Sequence, residues 1–421
     1  MNKLFYVEDN EETCRTEVSF LFTKFKYLNK KLIKQPDYTN ALNKIKNKKA
    51  SGEKVKVGFL VSEIAKWNAD ELYSLLEKSK EFKPYILATL SVDVHNGKDT
   101  TKNNYEEICD YFNSRGMNVV NAYDTENKKY IDMNTLDMDI IFYQQPWYLS
   151  ELQDVYNASK TALCCYFPYG LNIFDSPIDN KPFHEKLYYY FVPNTLAKEQ
   201  IWKYKYTQKD NIVPVGFPKI DVYKNMKIEK DTKTIIYAPH FGYEKKQAIR
   251  VGTFPWSGER MLEFAKRHSE YNWIFKPHPN LKYTLVKDKH FGKEYAENYY
   301  SEWAKIAEIN QDSNYFKIFC KSDLLITDSC SFLLEYMPTG KPIIRLDRKD
   351  STPLSLLGVK LLEGIYRVFD FNEFEEIFYK LAVQKDDVLA QKRKEITDNI
   401  IFEHENPNEE IYKIIKSTVS C

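Results

Sequence analysis

The sequence predicts an α/β protein built from two doubly wound, Rossmann-like halves. Three observations carry that prediction. Short apolar runs alternate with helical stretches through most of the chain. The runs are continuously apolar rather than alternating, which marks parallel strands buried on both faces. A Pro- and Gly-rich stretch, NIVPVGFPKID at 211–221, interrupts the series near its middle. A chain of 421 residues also suits two domains of about 150 to 200 residues better than one.

The first element is a basic segment. Residues 24 to 56 hold eleven Lys and only two acids, Asp37 and Glu53. Val18, Leu21, Phe22, Phe25, Leu28 and Leu32 recur at helical spacing beneath them. The pattern predicts an amphipathic helical arm over 1–53, packed on the body with a lysine face suited to an anionic membrane surface.

A βαβ series follows. VKVGFLV (55–61) is the first strand, and a helix spans 68 to 80 with Asn68 as its cap. Further strands are PYILATL (84–90), NVVNAY (118–123), DIIFYQQ (139–145), TALCCYF (161–167) and LYYYFVP (187–193), with helices near 103–114 and 149–159. After the break at 211–221 a second series runs TIIYAPH, a helix near 257–268 with Ser257 as a candidate cap, NWIFKPHP, and a helix near 300–309. It continues with YFKIF, LLITDS, a helix near 330–337 and KPIIRLD. From about 371 the chain reads as helical. The expected division is arm 1–53, first Rossmann-like domain 54–215 and second 216–421. Two such domains with parallel sheets facing a central cleft describe a GT-B-type fold.

Composition narrows the function. A net charge of +1 supplies no global field for nucleic acid. The 32 Tyr and 26 Phe read as core packing. Seven cysteines show no metal-ligand spacing and read as free thiols of a reducing cytoplasm. No signal-peptide pattern opens the sequence, and no apolar stretch approaches the roughly 20 residues of a membrane span. The expected location is the cytoplasm, peripheral at the inner face of the membrane through the basic arm. No G-x-G-x-x-G follows either first strand and no P-loop is present, so nicotinamide and ATP chemistry lack their signatures.

Polar residues gather where apolar runs end. Ala238-Pro239-His240 follows TIIYA, Lys276-Pro277-His278-Pro279 follows NWIF, and Thr327-Asp328-Ser329-Cys330-Ser331 follows SDLLI. Residues at the carboxyl ends of parallel strands share the rim where ligands bind in open α/β sheets. Asp328 or Ser329 is a natural cap for the following helix, whose exposed N–H groups favour an anion such as a diphosphate. His278 is held between two prolines, and Lys276 adds positive charge. His240 is a candidate general base or second phosphate contact. No second His or Cys stands at metal-ligand spacing, so no metal and no cofactor are expected. In the first half, Ser62 and Glu63, Gln144-Gln145-Pro146-Trp147, and Phe167-Pro168-Tyr169-Gly170 end strands in the same way.

Together these residues resemble the CDP-glycerol glycerophosphotransferase family, the transferases and polymerases of teichoic acids and capsules. The resemblance covers about residues 130 to 350 and is best from 234 to 345. His278-Pro279 matches the family's His-Pro pair. Thr327, Asp328 and Ser331 match its Thr-Asp-Tyr-Ser-Ser run, in which Ser329 and Cys330 replace Tyr and Ser. Glu335 stands at its acidic position. Pro168-Tyr169-Gly170 stands where the family has Trp-His-Gly, so Tyr169 replaces the family's base.

The resemblance implies transfer of phosphoglycerol, or a related polyol phosphate, from a CDP-activated donor to a hydroxyl of a glycan or lipid-linked acceptor, with release of CMP. His278 is the catalytic candidate that the resemblance supports, and His240, read from its strand-end position, or a carboxylate such as Glu63 is the candidate to replace the family's base. Lys276, His278, Thr327, Asp328, Ser329 and Ser331 would hold the diphosphate, with Glu335 and Pro239 at the ribose or base. Ser62, Glu63, Tyr169 and Gly170 are the acceptor-side candidates. The alternatives on the same fold are a glycosyltransferase or epimerase using a UDP- or CMP-sugar, and a non-catalytic peripheral membrane scaffold.

Overall fold

The computed structural model describes residues 5–10, 15–20, 23–28, 35–97, 103–170, 172–175, 182–204, 210–245, 247, 249–312 and 315–420. The chain divides into two compact units. Unit 1 comprises Met1–Tyr169, Pro177–Lys219 and Asn406–Cys421, and unit 2 comprises Gly170–Ser176 and Ile220–Glu405. The principal division at 219/220 lies close to the expected 215/216. Two features were not expected: residues 170–176 belong to unit 2, and residues 406–421 return to unit 1.

Unit 1 opens with three antiparallel strands, β1 (Phe5–Asn10), β2 (Arg15–Phe20) and β3 (Thr23–Leu28). The helical arm expected here is corrected for these residues. The apolar positions satisfy a helical spacing, but RTEVSF and TKFKYL also alternate with period two and are rich in β-branched and aromatic residues. The backbone register sets Val18 opposite Phe25 and Glu17 opposite Lys26. Leu21, Phe22 and Leu32 lie outside the described residues. A helix does follow, at Thr39–Ala50, and buries Ala41 and Ile45. Two of its lysines, Lys44 and Lys48, face acids of unit 1. Lys44 and Lys48 pair with Asp139 at 3.1 and 2.9 Å, and Lys56 pairs with Asp137 at 2.7 Å. Asp139 is fully buried and also accepts from the Lys56 backbone N–H at 2.7 Å. Three cations of the basic segment therefore neutralise acids of the same unit.

The main sheet of unit 1 contains β4 (Val55–Val61), β5 (Phe82–Ala88), β6 (Val119–Asn121), β9 (Ile140–Tyr143), β10 (Leu163–Tyr166), β11 (Tyr189–Val192) and β12 (Ile212–Pro214). A short hairpin, β7 (Tyr123–Asp124) and β8 (Lys129–Tyr130), lies between β6 and β9 in sequence. The strand order is β12-β11-β10-β9-β4-β5-β6, and every pairing is parallel. The chain winds outward from β4 through β5 to β6, then restarts at β9 on the other side of β4. The β4/β9 boundary is the topological switch point, the ligand-binding crevice of such sheets. The helix expected at 68–80 spans Asp70–Lys78, but Asn68 does not cap it; its side chain donates to the Pro168 carbonyl at 3.2 Å.

Unit 2 repeats the design. Its sheet contains β13 (Thr234–Ala238), β14 (Asn272–Phe275), β15 (Ala307–Ile309), β16 (Leu324–Thr327), β17 (Ile343–Leu346) and β18 (Tyr366–Val368). The order is β15-β14-β13-β16-β17-β18, all parallel, so the switch point lies between β13 and β16. YFKIF, expected as a strand, lies in the helix Phe316–Lys321, and the expected helix near 300–309 ends at Ile306 where β15 begins. Packing of Phe316 and Phe319 into the interior overrides their strand propensity. The closing helix Pro407–Ser420 buries Ile411, Ile415 and Val419 in the core of unit 1. Among the described residues no helix is long and apolar enough to cross a membrane.

Candidate functional site

The carboxyl ends of β13, β14 and β16 build the site of unit 2. Pairing between β13 and β14 continues past the strands: the Lys276 N–H donates to the Tyr237 carbonyl at 2.8 Å and the His278 N–H to the Pro239 carbonyl at 2.9 Å. That register brings His240 and His278 together, with ring centroids 4.8 Å apart and the Phe241 ring against both. Two residues separated by 38 positions are thus juxtaposed by extended backbone, as the strand-end motifs predict.

Each imidazole is fixed in the same way. Nδ1 of His240 accepts from the Gly242 N–H at 2.9 Å, and Nδ1 of His278 accepts from the Asn280 N–H at 3.1 Å. Burial, with His278 next to it, holds His240 well below the usual histidine range, and burial lowers His278 to about 4. Both rings are therefore neutral near pH 7. With Nδ1 accepting, the hydrogen of each neutral ring is on Nε2. In this arrangement the pair presents two N–H donors, the form that suits a phosphate contact, the second of the two roles expected of His240. Gly242 is required for this geometry, because a Cβ there would sit 2.3 Å from the Ile249 carbonyl and 2.9 Å from His240 Nδ1.

Asp328 organises the rim without facing a ligand. Its Oδ1 accepts from the His240 backbone N–H at 2.5 Å, and its Oδ2 accepts from Thr253 N–H at 2.6 Å and Thr253 Oγ1 at 2.9 Å. Burial pushes its carboxyl up to about 6 against the pull of these bonds. Thr253 holds the N-cap position of the helix Phe254–Arg267 without a side-chain capping bond, its hydroxyl going to Asp328 instead, and the helix has a proline in its first turn. Ser257 lies inside that helix, bonded to the Thr253 carbonyl at 3.0 Å, so it is not the cap. The Thr-Phe-Pro run was the available sequence signal for the true start.

Several expected diphosphate contacts are turned into the body. Thr327 Oγ1 donates to the Ala238 carbonyl at 2.6 Å and accepts from the Ser329 N–H at 2.9 Å. Lys276 is buried; its Nζ donates to Asn310 Oδ1 at 3.0 Å and the Asp312 carbonyl at 2.8 Å, and lies 4.8 Å from the centre of the Tyr315 ring. Glu335 is fully buried, accepts from the Tyr315 hydroxyl, and receives the Tyr223 hydroxyl at its backbone carbonyl at 2.6 Å. Buried charges need such partners, and the side chains of Lys276, Asp328 and Glu335, like the hydroxyl of Thr327, bond protein groups here. Pro239 is buried and contributes its carbonyl to His278. Ser329 and Ser331 remain partly exposed. The helix that follows is Ser331–Tyr336, and its cap position is Cys330 rather than Asp328 or Ser329.

The switch point of unit 1 carries a second cluster. Gln144 Oε1 accepts from the backbone N–H groups of Ser62 and Glu63, both at 3.1 Å, and its Nε2 donates to the Glu63 carbonyl at 2.6 Å. Gln145 Nε2 donates to Ser62 Oγ at 3.3 Å. Lys66, absent from the sequence-derived candidates, joins the cluster. Its Nζ bonds Gln145 Oε1 at 2.6 Å, pairs with Glu63 Oε2 at 2.6 Å, and lies 5.2 Å from the centre of the Tyr169 ring and 5.8 Å from that of Trp147. Its spacing three residues after Glu63 was the only signal. Ser62, Glu63 and Tyr169 are thus brought together in unit 1, whereas Gly170 is the first residue of the segment assigned to unit 2. Among the described residues no group of three or more His, Cys, Asp or Glu side chains is placed to hold a metal ion.

Comparison with known proteins agrees with the resemblance read from the sequence. Residues 176–348 match the family described as CDP-Glycerol:Poly(glycerophosphate) glycerophosphotransferase. The teichoic acid glycerol-phosphate primase of Bacillus subtilis is 29% identical over 174 residues, covering 38% of this chain and 40% of the primase. The teichoic acid ribitol-phosphate polymerase TarL of Staphylococcus aureus is 27% identical over 152 residues, covering 32% of this chain and 25% of the polymerase. The matches therefore span two-fifths or less of these curated relatives. Among solved structures, a variant of the wall teichoic acid polymerase TagF soaked with CDPG superposes with a TM-score of 0.56 at 13% identity, covering 91% of this chain and 93% of that one. The UDP-GlcNAc 2-epimerase of Neisseria meningitidis bound to UDP-GlcNAc gives 0.53 at 13% identity, covering 86% and 100%. At such identities the structural likeness establishes the GT-B-type α/β fold alone.

Proposed function

We propose, from the premise that residues 176–348 carry the glycerophosphotransferase family module, that this protein transfers a phosphoglycerol or related polyol-phosphate group from a CDP-activated donor to a hydroxyl of a cell-surface glycan or glycolipid acceptor. The observation that carries the reading is the His240–His278 pair at the carboxyl ends of β13 and β14, beside the β13/β16 switch point. Two neutral imidazoles with Nε2–H directed from fixed rings suit phosphate oxygens whose charge grows during transfer. Preorganised donors of this kind are often the largest catalytic contribution.

In the proposed reaction the acceptor oxygen forms a bond to the β-phosphorus. The bond from that phosphorus to the bridging oxygen breaks, and CMP departs with the electron pair. His240 and His278 stabilise the charge on the diphosphate, with the hydroxyls of Ser329 and Ser331 as further donors. Lys276, Thr327, Asp328 and Glu335 hold the strand ends that position them. Neither imidazole takes the acceptor's proton, because each Nδ1 is already engaged; that proton is released to solvent as the new O–P bond forms. Ser62, Glu63 and Tyr169 keep their acceptor-side assignment on the strength of the cluster at the ends of β4, β9 and β10, and Gly170 keeps it as the neighbour of Tyr169.

The test is CMP release from CDP-glycerol by the purified protein, run beside CDP-ribitol and UDP-sugars. Release of CMP from a CDP-polyol supports the proposal. Release of UDP alone favours the second reading, a UDP-sugar enzyme, which the fold shared with the epimerase motivates but does not decide.

A further inference from the structure

A cavity of about 230 Å³ opens at the amino-terminal ends of β13, β16 and β17, a strand's length from the two histidines. Its apolar lining comes from Ile235, Leu324, Pro342, Leu381 and Ala382. Lys230, Lys233, Lys341 and Lys385 also line it. Among the described residues Lys230, Lys233 and Lys385 form no ion pair, and all three are exposed. Lys341 is buried, donates to the carbonyls of Cys320 at 2.7 Å and of Ser322, and has no carboxylate partner. Of the three acids at the cavity, Asp387 is held by Arg393 and Tyr366, Asp323 accepts from Thr232 at 3.2 Å, and Asp231 is exposed. Four lysines face these three aspartates, one of which Arg393 neutralises, so a small excess of positive charge surrounds an apolar floor.

Backbone strain converges on the same place. Asp231, Lys233 and Lys385 have φ of 57°, 53° and 58°, three of the six described non-glycine residues in the left-handed region. Such conformations are costly for residues with a side chain and cluster where a ligand is held. Two separate connections, the one before β13 and the one after Leu381, adopt them around one cavity.

We propose that this cavity is a binding site for a phosphate-bearing amphiphile. The anionic headgroup lies among Lys230, Lys233 and Lys385, within the field of Lys341, and the first methylenes rest on Leu324, Pro342 and Leu381. The volume is at or below the small end of ligand pockets, roughly 300 to 1,000 Å³, so the site takes a headgroup and a short apolar segment rather than a whole acyl chain. The site is separate from the one at the carboxyl ends of the strands and does not depend on the transferase reading.

The test is calorimetric titration of the full chain with dodecyl phosphate below its micellar concentration, beside inorganic phosphate and dodecyl maltoside. The expected result is one equivalent of dodecyl phosphate, bound at least roughly tenfold more tightly than either control. The triple variant Lys230→Ala, Lys233→Ala, Lys385→Ala, and separately the cavity-filling Ala382→Phe, each weaken that binding roughly tenfold or more, with folding checked by circular dichroism. Saturating CDP leaves it unchanged. Equal binding of a control, unaltered affinity in Ala382→Phe, or competition by CDP overturns the proposal.

Discussion

The carboxylate of Asp328 accepts the backbone N–H of His240 at 2.5 Å, tying the end of β16 to the end of β13 across the switch point of unit 2. The bond positions a catalytic candidate through its main chain, so the imidazole stays available to a ligand. It also explains an acid at a rim assigned to an anionic donor: the charge is turned inward and spent on three hydrogen bonds.

Replacing either histidine tests the donor role. His240→Ala and His278→Ala are each expected to lower CMP release by roughly two to four decades. A glutamine places an N–H close to the Nε2 position, so His278→Gln is expected to recover at least about tenfold over alanine. No recovery, with intact folding, would refute the N–H donor assignment.

Asp328→Asn removes acceptor capacity inside the protein. One of its two terminal atoms becomes a donor facing a donor, at the His240 N–H or at Thr253. The expected loss is about 2 to 3 kcal/mol in chemical denaturation, with a parallel fall in activity. Wild-type stability would show that the hydrogen bonds are not formed as described.

Stability should respond to pH in opposing ways at these residues. His278 titrates near 4 in the folded chain against an ordinary 6.5, so from pH 6.5 down to about 4 the unfolded state binds more protons and acid destabilises. Asp328 titrates near 6 against 3.8, so the native state binds more protons in between and its contribution is lost as pH rises through 6. The variant His278→Gln should therefore lose less melting temperature than wild type between pH 7 and pH 5. Parallel profiles would contradict a buried neutral His278.

Gly242→Ala meets the Ile249 carbonyl and the His240 ring at once. The expected cost is about 1 to 3 kcal/mol, accompanied by loss of activity as the His240 ring is displaced. A thermal melt and CMP release, measured together, check it.

Most of the architecture was legible because it rests on patterns that local sequence records. Continuous apolar runs marked the buried parallel strands, and the two histidine motifs followed such runs closely enough to place both rings on one rim. What stayed illegible was the direction of side chains. Lys276 and Glu335 occupy positions near the site, yet their charges are turned toward Asn310, Asp312 and Tyr315, partners that only the folded chain supplies. Residues 15–20 and 23–28 differ for another reason: their apolar residues satisfy periods of 3.6 and of 2, and strand pairing decides between them. Lys66 was missed because its partners come from the ends of β4, β9 and β10.

The helix Pro407–Ser420 completes the core of a unit whose other strands lie before residue 220. During synthesis, unit 2 has its full complement of residues once Glu405 has left the ribosome, whereas unit 1 must wait with an uncovered apolar face until Ile411, Ile415 and Val419 emerge. The half of the protein made first is therefore the half finished last, and truncation before residue 407 should harm the early-made unit more than the later one.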